Sequence, residues 1–289
     1  MDYRYTAVLA TISNSFSDAV LDYAVNRYNY HKVLLFTSFI AFVIQLIYGL
    51  NVGITLTYSS IPYLLIHGVF VLLGYVCFVK ALEYLPLGLV GLIESSNLFL
   101  TLFIDSCVGY IKITPYFVGM FAVFIFSIFL FCKDCLSREN SCFKEIERQG
   151  FLWVLGSVLF YVAAPYLIKV SDGLGANEIA INLSYYMLAL PYFAYNVFSN
   201  CSEQKFKPQN WWNSLLFLGL VVGILESLYY LLETFSFIND APTVVMIIAQ
   251  MRIFLVFLLS VLFKMDKFTF RKTFALVLGI ISVVGVYYS

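Results

Sequence analysis

The sequence predicts an all-α integral membrane protein of ten transmembrane helices, arranged as two inverted five-helix repeats. Three observations carry this. First, 62% of the 289 residues are hydrophobic and only 12% are charged, against about 25% charged in a soluble domain. A soluble fold leaves much of its area in water and has nowhere to hide so much apolar surface. Second, the apolar residues fall into ten runs of about the 20 residues that a helix needs to cross about 30 Å of hydrocarbon. Third, the last five runs repeat the pattern of the first five. A barrel is excluded because the runs are too long and lack the period-2 alternation of lipid-facing strands.

The first run, 5–25, contains "AVLATISNSFSDAVLDYAV". It is too polar for a signal-peptide core and lacks a basic start and an A-x-A site, so it reads as a retained helix whose polar face meets other helices. Runs 32–50 and 61–81 are mostly apolar. Run 86–106 starts at Pro86, and run 113–132 is opened by Thr114. A charged connector then divides the chain, giving a first repeat at 1–132, a connecting loop at 133–149 and a second repeat at 150–289. The second repeat holds runs 150–169, 176–198, 211–232, 240–263 (with Pro242) and 269–288 (opened by Thr269). Five helices per half is an odd number, so the second half enters the membrane from the opposite side. That is the inverted repeat common in secondary transporters, whose substrate sites lie between the halves.

Of the 17 Lys and Arg, 13 fall in the loops after runs 1, 3, 5, 7 and 9, and Arg4, Lys112 and Lys169 fall on the other side. Basic loops stay cytoplasmic, which places both termini outside. Net charge is zero, so nothing points to a nucleic-acid partner. Cys77 and Cys107 lie within runs. Cys132, Cys135, Cys142 and Cys201 fall on the cytoplasmic side, and the lone C-x-x-C "CKDC" reads as reduced thiols, not a metal site. No metal and no cofactor are expected.

"ALEYLPLGLVGLIESSNLFLTLFIDS" (81–106) lies over "TFSFINDAPTVVMIIAQMRIFLVFLLS" (234–260). An offset of 153 puts Asn97 over Gln250 and leaves Glu94 over Ile247, which predicts a site with its carboxylate in one half only. The turn "ALEYLPLGLVGLIES", the "ISNSF" of the first run and the last runs after Thr114 and Thr269 resemble the ten-helix, EamA-like branch of the drug/metabolite transporter superfamily. The resemblance covers the whole chain at the level of pattern. It implies alternating access by two five-helix halves around a central cavity. The sequence departs from the family in its reduced "GYIKIT" and "KMDKFT" loops. The family's habit of cytoplasmic termini also runs against the charge bias here.

Charged groups inside a bilayer cost roughly 2.5–3.5 kcal/mol at a helix centre and persist where they face a cavity or a partner. Glu94, Asn97 and Thr101 share one face at i, i+3 and i+7, as do Glu226, Tyr229 and Glu233. Asn14, Asp18 and Asp22 form a stripe on the first helix, with Asp22 expected to pair with Arg27 or Lys32. Glu178, Asn182 and Tyr185 form another, where Glu178 suits a helix start. Arg252 lies mid-run and is expected to meet Glu226 or Glu94, as a structural pair or as an anion clamp. Gln250, about 200° away on the helix, is expected to line the cavity. His67 reads as a hydrogen-bonded core residue. Tyr161, Tyr185 and Tyr229 are placed to hold a cation or an aromatic ring.

The substrate- or proton-binding residues are therefore expected to be Glu94, Asn97, Glu226, Tyr229, Gln250, Arg252, Asp18 and Asn14. The deep acids outnumber the deep base, so the cavity should favour a cation, a zwitterion or a proton. No ATP-binding G-x-x-x-x-G-K-[ST] loop and no hydrolase motif is visible. The expected function is non-enzymatic: secondary transport of a small polar metabolite, possible substrates being an amino acid, an amine or an S-adenosylmethionine-like compound. The expected setting is the bilayer of a bacterial inner membrane, with a homodimer allowed. The rival reading is an integral-membrane enzyme acting on a lipid-linked substrate, which would place its polar cluster at one interface.

Overall fold

The computed structural model describes residues 3–108, 114–135, 141–199, 211–239, 242–262 and 268–287. Every regular element among them is a helix: α1 (Tyr3–Val25), α2 (Tyr30–Val52), α3 (Ile61–Leu82), α4 (Leu87–Glu94), α5 (Ser96–Val108), α6 (Pro115–Cys135), α7 (Ser141–Tyr161), α8 (Ala164–Gly173), α9 (Glu178–Ser199), α10 (Trp211–Asn239), α11 (Pro242–Ala249), α12 (Arg252–Leu262) and α13 (Phe270–Tyr287). Six stretches are long and apolar enough to cross a bilayer, among them Tyr30–Val52, Ile61–Leu82 and Val244–Leu262. Their outer faces stay apolar: Leu152, Leu155 and Leu159 line one exposed face of α7, and Phe217, Leu220, Ile224 and Leu228 one face of α10. Contiguous rows of this kind are stable against lipid, not water. The protein is membrane-embedded.

Three of the expected runs are broken. The run at 86–106 divides at Ser95. The hydroxyl of Ser95 donates to the Gly91 carbonyl at 2.9 Å, and the same carbonyl takes the Ser95 N–H. This local competition bends helices. The run at 240–263 divides at Gln250–Met251. The run at 150–169 divides after Tyr161, because Pro165 has no N–H to give the Tyr161 carbonyl. The connector is also shorter than 133–149: α6 runs to Cys135 and α7 starts at Ser141. Lys, Glu, Arg and Gln dominate that stretch and are good helix formers, so the helix extends past the apolar run. The side chains of Cys132, Cys135 and Cys142, and all of Cys201, lie outside the described residues.

Packing partners exchange between the two ends of the sequence. α1 packs along α10, while α3 packs along α7 and α8; α2 meets α10, while α3 meets α9. α2 also lies against α9, and α6 against α13. Local features recur at a spacing of 155. Thr114 caps α6 by accepting from the Phe117 N–H at 3.1 Å, and Thr269 caps α13 by accepting from Lys272 N–H at 3.2 Å. α4 starts at Leu87 and α11 at Pro242. At the breaks, the Leu98 N–H donates to Ser95 and the Ile253 N–H to Gln250. This spacing differs by two residues from the offset of 153 read from the sequence. It sets Ser95 over Gln250 and Asn97 over Arg252.

Lys80 lies over the Trp153 ring at 4.3 Å and Lys272 over Phe131 at 5.5 Å. Elsewhere, the segment between α2 and α3 is latched to the start of α9 by Asn177. Its Nδ2 donates to the Gly53 carbonyl at 2.9 Å, and its Oδ1 accepts from the N–H groups of Thr55 and Ala180. Asn177 is thus an N-cap and a tie between segments 124 positions apart. N177A is expected to lower stability by about 1–2 kcal/mol, from the lost cap and the lost tie. N177D keeps the cap acceptor and should lose less; the thermal midpoints of both in detergent check the order.

Candidate functional site

A cavity of about 130 Å³ lies among α1, α3, α4, α8, α10, α11 and the start of α12. Its wall includes all eight residues expected there: Asn14, Asp18, Glu94, Asn97, Glu226, Tyr229, Gln250 and Arg252. Four of them, Glu94, Asn97, Gln250 and Arg252, converge because helices end inside the bundle. Glu94 is the last residue of α4, and Arg252 is the first of α12. A helix C-terminus disfavours an anion and a helix N-terminus disfavours a cation. Each of these charges therefore sits at the unfavourable end of its half-helix, and each offsets the other's penalty by pairing.

The pairing is close. Arg252 Nη2 donates to Glu94 Oε2 at 2.9 Å, and Arg252 Nε lies 2.7 Å from Asp18 Oδ2. The Phe78 ring covers the guanidinium at 5.4 Å. Ser157 of α7 donates to Glu94 Oε1 at 2.6 Å. One guanidinium thus ties α1, α4 and α12 together, with α7 held through Ser157. Of the two carboxylates expected for Arg252, Glu94 is the partner and Glu226 is not. Asp18 takes the second place, because the long contact of α1 with α12 brings it there.

Glu226 has a separate environment. Tyr75 of α3 donates to Glu226 Oε2 at 3.2 Å. Glu226 Oε1 has no hydrogen-bond partner among the described residues, although the residue is only 3% exposed. The same holds for Asn97 Oδ1 and Asn182 Nδ2. Asn182 accepts from Thr234 at 2.7 Å through Oδ1. Tyr75, Tyr161, Tyr229 and Tyr230 give the wall an aromatic side, and Glu233 adds a further carboxylate.

Other expected positions fall differently. Thr101 is buried outside the cavity and donates to Met246 Sδ at 3.1 Å. The break at Ser95 ends the continuous face that would have aligned it with Glu94. Tyr185 stands behind the wall, packed edge-on to Tyr75 and against Tyr230. Tyr161 and Tyr229 do line the cavity. Asp22 accepts from Asn26 Nδ2 at 2.9 Å, while Arg27 lies over the Tyr23 ring. Glu178 opens α9, and Asn182 reaches the cavity. His67 is buried with Nδ1 3.3 Å from the Ser184 hydroxyl, and it also lines the cavity. Sequence reasoning missed Tyr75, Ser157 and Thr234. A single Tyr or Ser in an apolar helix carries no signal until its partner's position is known.

Fold and site together define a membrane-embedded, all-helical protein with a buried acidic cavity where broken helices meet. No family model and no curated protein matches the chain. Among solved structures, one described only as "Crystal structure of protein" is similar, with a TM-score of 0.65. It covers 98% of this chain and 94% of its own at 14% sequence identity. At that identity the likeness is one of fold.

Proposed function

We propose that the protein is a secondary transporter that carries a small cationic or zwitterionic metabolite across a bacterial inner membrane by alternating access. This is the working mode of the drug/metabolite transporter superfamily that the sequence resembles. The observation that carries the reading is the cavity itself. Carboxylates and amides from both halves of the chain line it, with Glu94, Asn97 and Gln250 at helix breaks, the arrangement in which transporters bind ions and polar solutes. Taking α4 with α5, α7 with α8 and α11 with α12 as single interrupted spans turns thirteen helices into ten. The exchanged packing partners and the 155-residue recurrence support two inverted five-helix repeats. A cavity of about 130 Å³ is near the about 150 Å³ that takes a benzene-sized molecule. That size favours an amine or a small amino acid over an S-adenosylmethionine-like compound.

The test is uptake into proteoliposomes from a mixture of amines, amino acids and nucleoside-like cations, with and without a proton gradient. Wild-type protein is expected to accumulate at least one of them. E94Q should keep its fold and lose at least tenfold in rate, because it removes one of the two carboxylates paired with Arg252. Protein that folds but moves none of these solutes would sink the reading.

A further inference from the structure

Arg252 is the one cationic side chain on the cavity wall among the described residues, and its charge is already met. Asp18 holds Nε, Glu94 holds Nη2 and Phe78 covers one face. Two carboxylates share the one guanidinium, so its charge is met within the protein. A substrate carboxylate approaching Arg252 would meet Asp18 and Glu94 and would have to displace one of them. In a low-dielectric site, like charges at such distances repel strongly. The guanidinium is therefore an internal counter-ion and not an anion clamp.

The opposite holds at Glu226. It comes from α10, lines the cavity and is buried, and its Oε1 has no hydrogen-bond partner among the described residues. Among the described residues no Lys or Arg other than the paired Arg252 lines the cavity, and the neighbouring Tyr75 binds the other oxygen. Asn97 Oδ1 is a second buried acceptor without a described partner. Buried acceptors left unmet are costly, and a primary ammonium has three N–H donors with which to meet them. Tyr229 and Tyr230, with ring centroids 4.9 Å apart, line the same cavity and suit the apolar body or the cationic head of an amine.

We propose that Glu226 binds the ammonium group of a small monocationic amine, and that the site discriminates against the amino acid of the same skeleton because Arg252 is already neutralised. This rests on the transporter reading for its biological sense, but it concerns binding and is tested as binding. The full-length protein in nanodiscs would be titrated with matched pairs: isobutylamine and valine, and 2-phenylethylamine and phenylalanine. Thermal shift and intrinsic fluorescence would report binding.

The amines are expected to bind at least tenfold more tightly than their amino acids, and E226Q should lose at least tenfold in amine affinity. The matched-pair comparison uses only wild-type protein, so it stands even if the variant fails to fold. Amino acids that bind as well as the amines, a folded E226Q that keeps amine affinity, or no binding of either amine would each overturn the proposal. Counterflow in proteoliposomes separates the two readings. Transport of amino acids but not amines leaves the transporter and removes the amine site. Amine binding without transport of any solute does the reverse.

Discussion

Replacing Arg252 with alanine is expected to destabilise the protein by about 3–5 kcal/mol, the usual cost of removing one partner of a buried ion pair. The cost falls on what is left behind. Asp18 and Glu94 are each buried and lie close enough to share one guanidinium. Without it, two carboxylates face each other, and Glu94 also sits at the C-terminal end of α4, where the helix dipole opposes an anion. α1, α4 and α12 lose their common tie. R252K should give an intermediate loss, because an ammonium restores charge but cannot offer the planar fork to both carboxylates.

The uncharged variant D18N/E94Q/R252A is expected to recover most of the loss, since neutral replacement of a buried charge cluster is often near neutral. Thermal midpoints and denaturation in detergent, followed by tryptophan fluorescence, would show the order. A triple variant as unstable as R252A would mean that packing against Phe78, and not charge balance, is what Arg252 contributes.

A second large effect is expected at two glycines 155 positions apart. A Cβ on Gly68 would lie 2.6 Å from the Ser184 carbonyl oxygen of α9. A Cβ on Gly223 would lie 2.9 Å from the Thr37 carbonyl oxygen of α2 and 2.8 Å from Ile40 Cβ. In both places helix backbones touch, and backbone cannot step aside as a flexible side chain can. G68A and G223A are each expected to cost about 1–3 kcal/mol, the range for forced overpacking. The two contacts lie on different helix pairs, so the double variant should lose close to the sum. G119A is the control: nothing lies within 4 Å of its Cβ, and alanine there should stabilise α6 by up to about 1 kcal/mol. If G68A were as stable as wild type, α3 and α9 would not pack as closely as described.

Much of the cavity wall was legible in the sequence because polar residues are expensive in lipid. In a chain this apolar, a Glu, Asp or Arg within a long run needs an interior partner, and helical spacing shows which neighbours share its face. That logic brought eight residues to one wall. It failed at Thr101 because it assumed an unbroken helix. Pro165 carried a visible signal for one break. The breaks at Ser95 and Gln250 carried none, since neither residue forbids a helix. The features that recur at a spacing of 155 lie two residues from the offset of 153 read from the sequence, where side-chain similarity is sparse. The recurring features are those of the backbone: the caps at Thr114 and Thr269, the breaks at Ser95 and Gln250 and the close approaches at Gly68 and Gly223.

Composition and run length were enough to establish the lipid environment, the all-helical class and the inward bias of the deep acids, because each follows from the cost of putting polar groups into hydrocarbon. The choice of partners was not written there. Arg252 meets Asp18 and Glu94 and leaves Glu226 to Tyr75. Periodicity orders residues along one helix and says nothing of which residues of another helix lie opposite. That choice was made by the packing of α1 along α10 and α12 and by the ends of α4 and α12, which bring charges more than a hundred residues apart into contact.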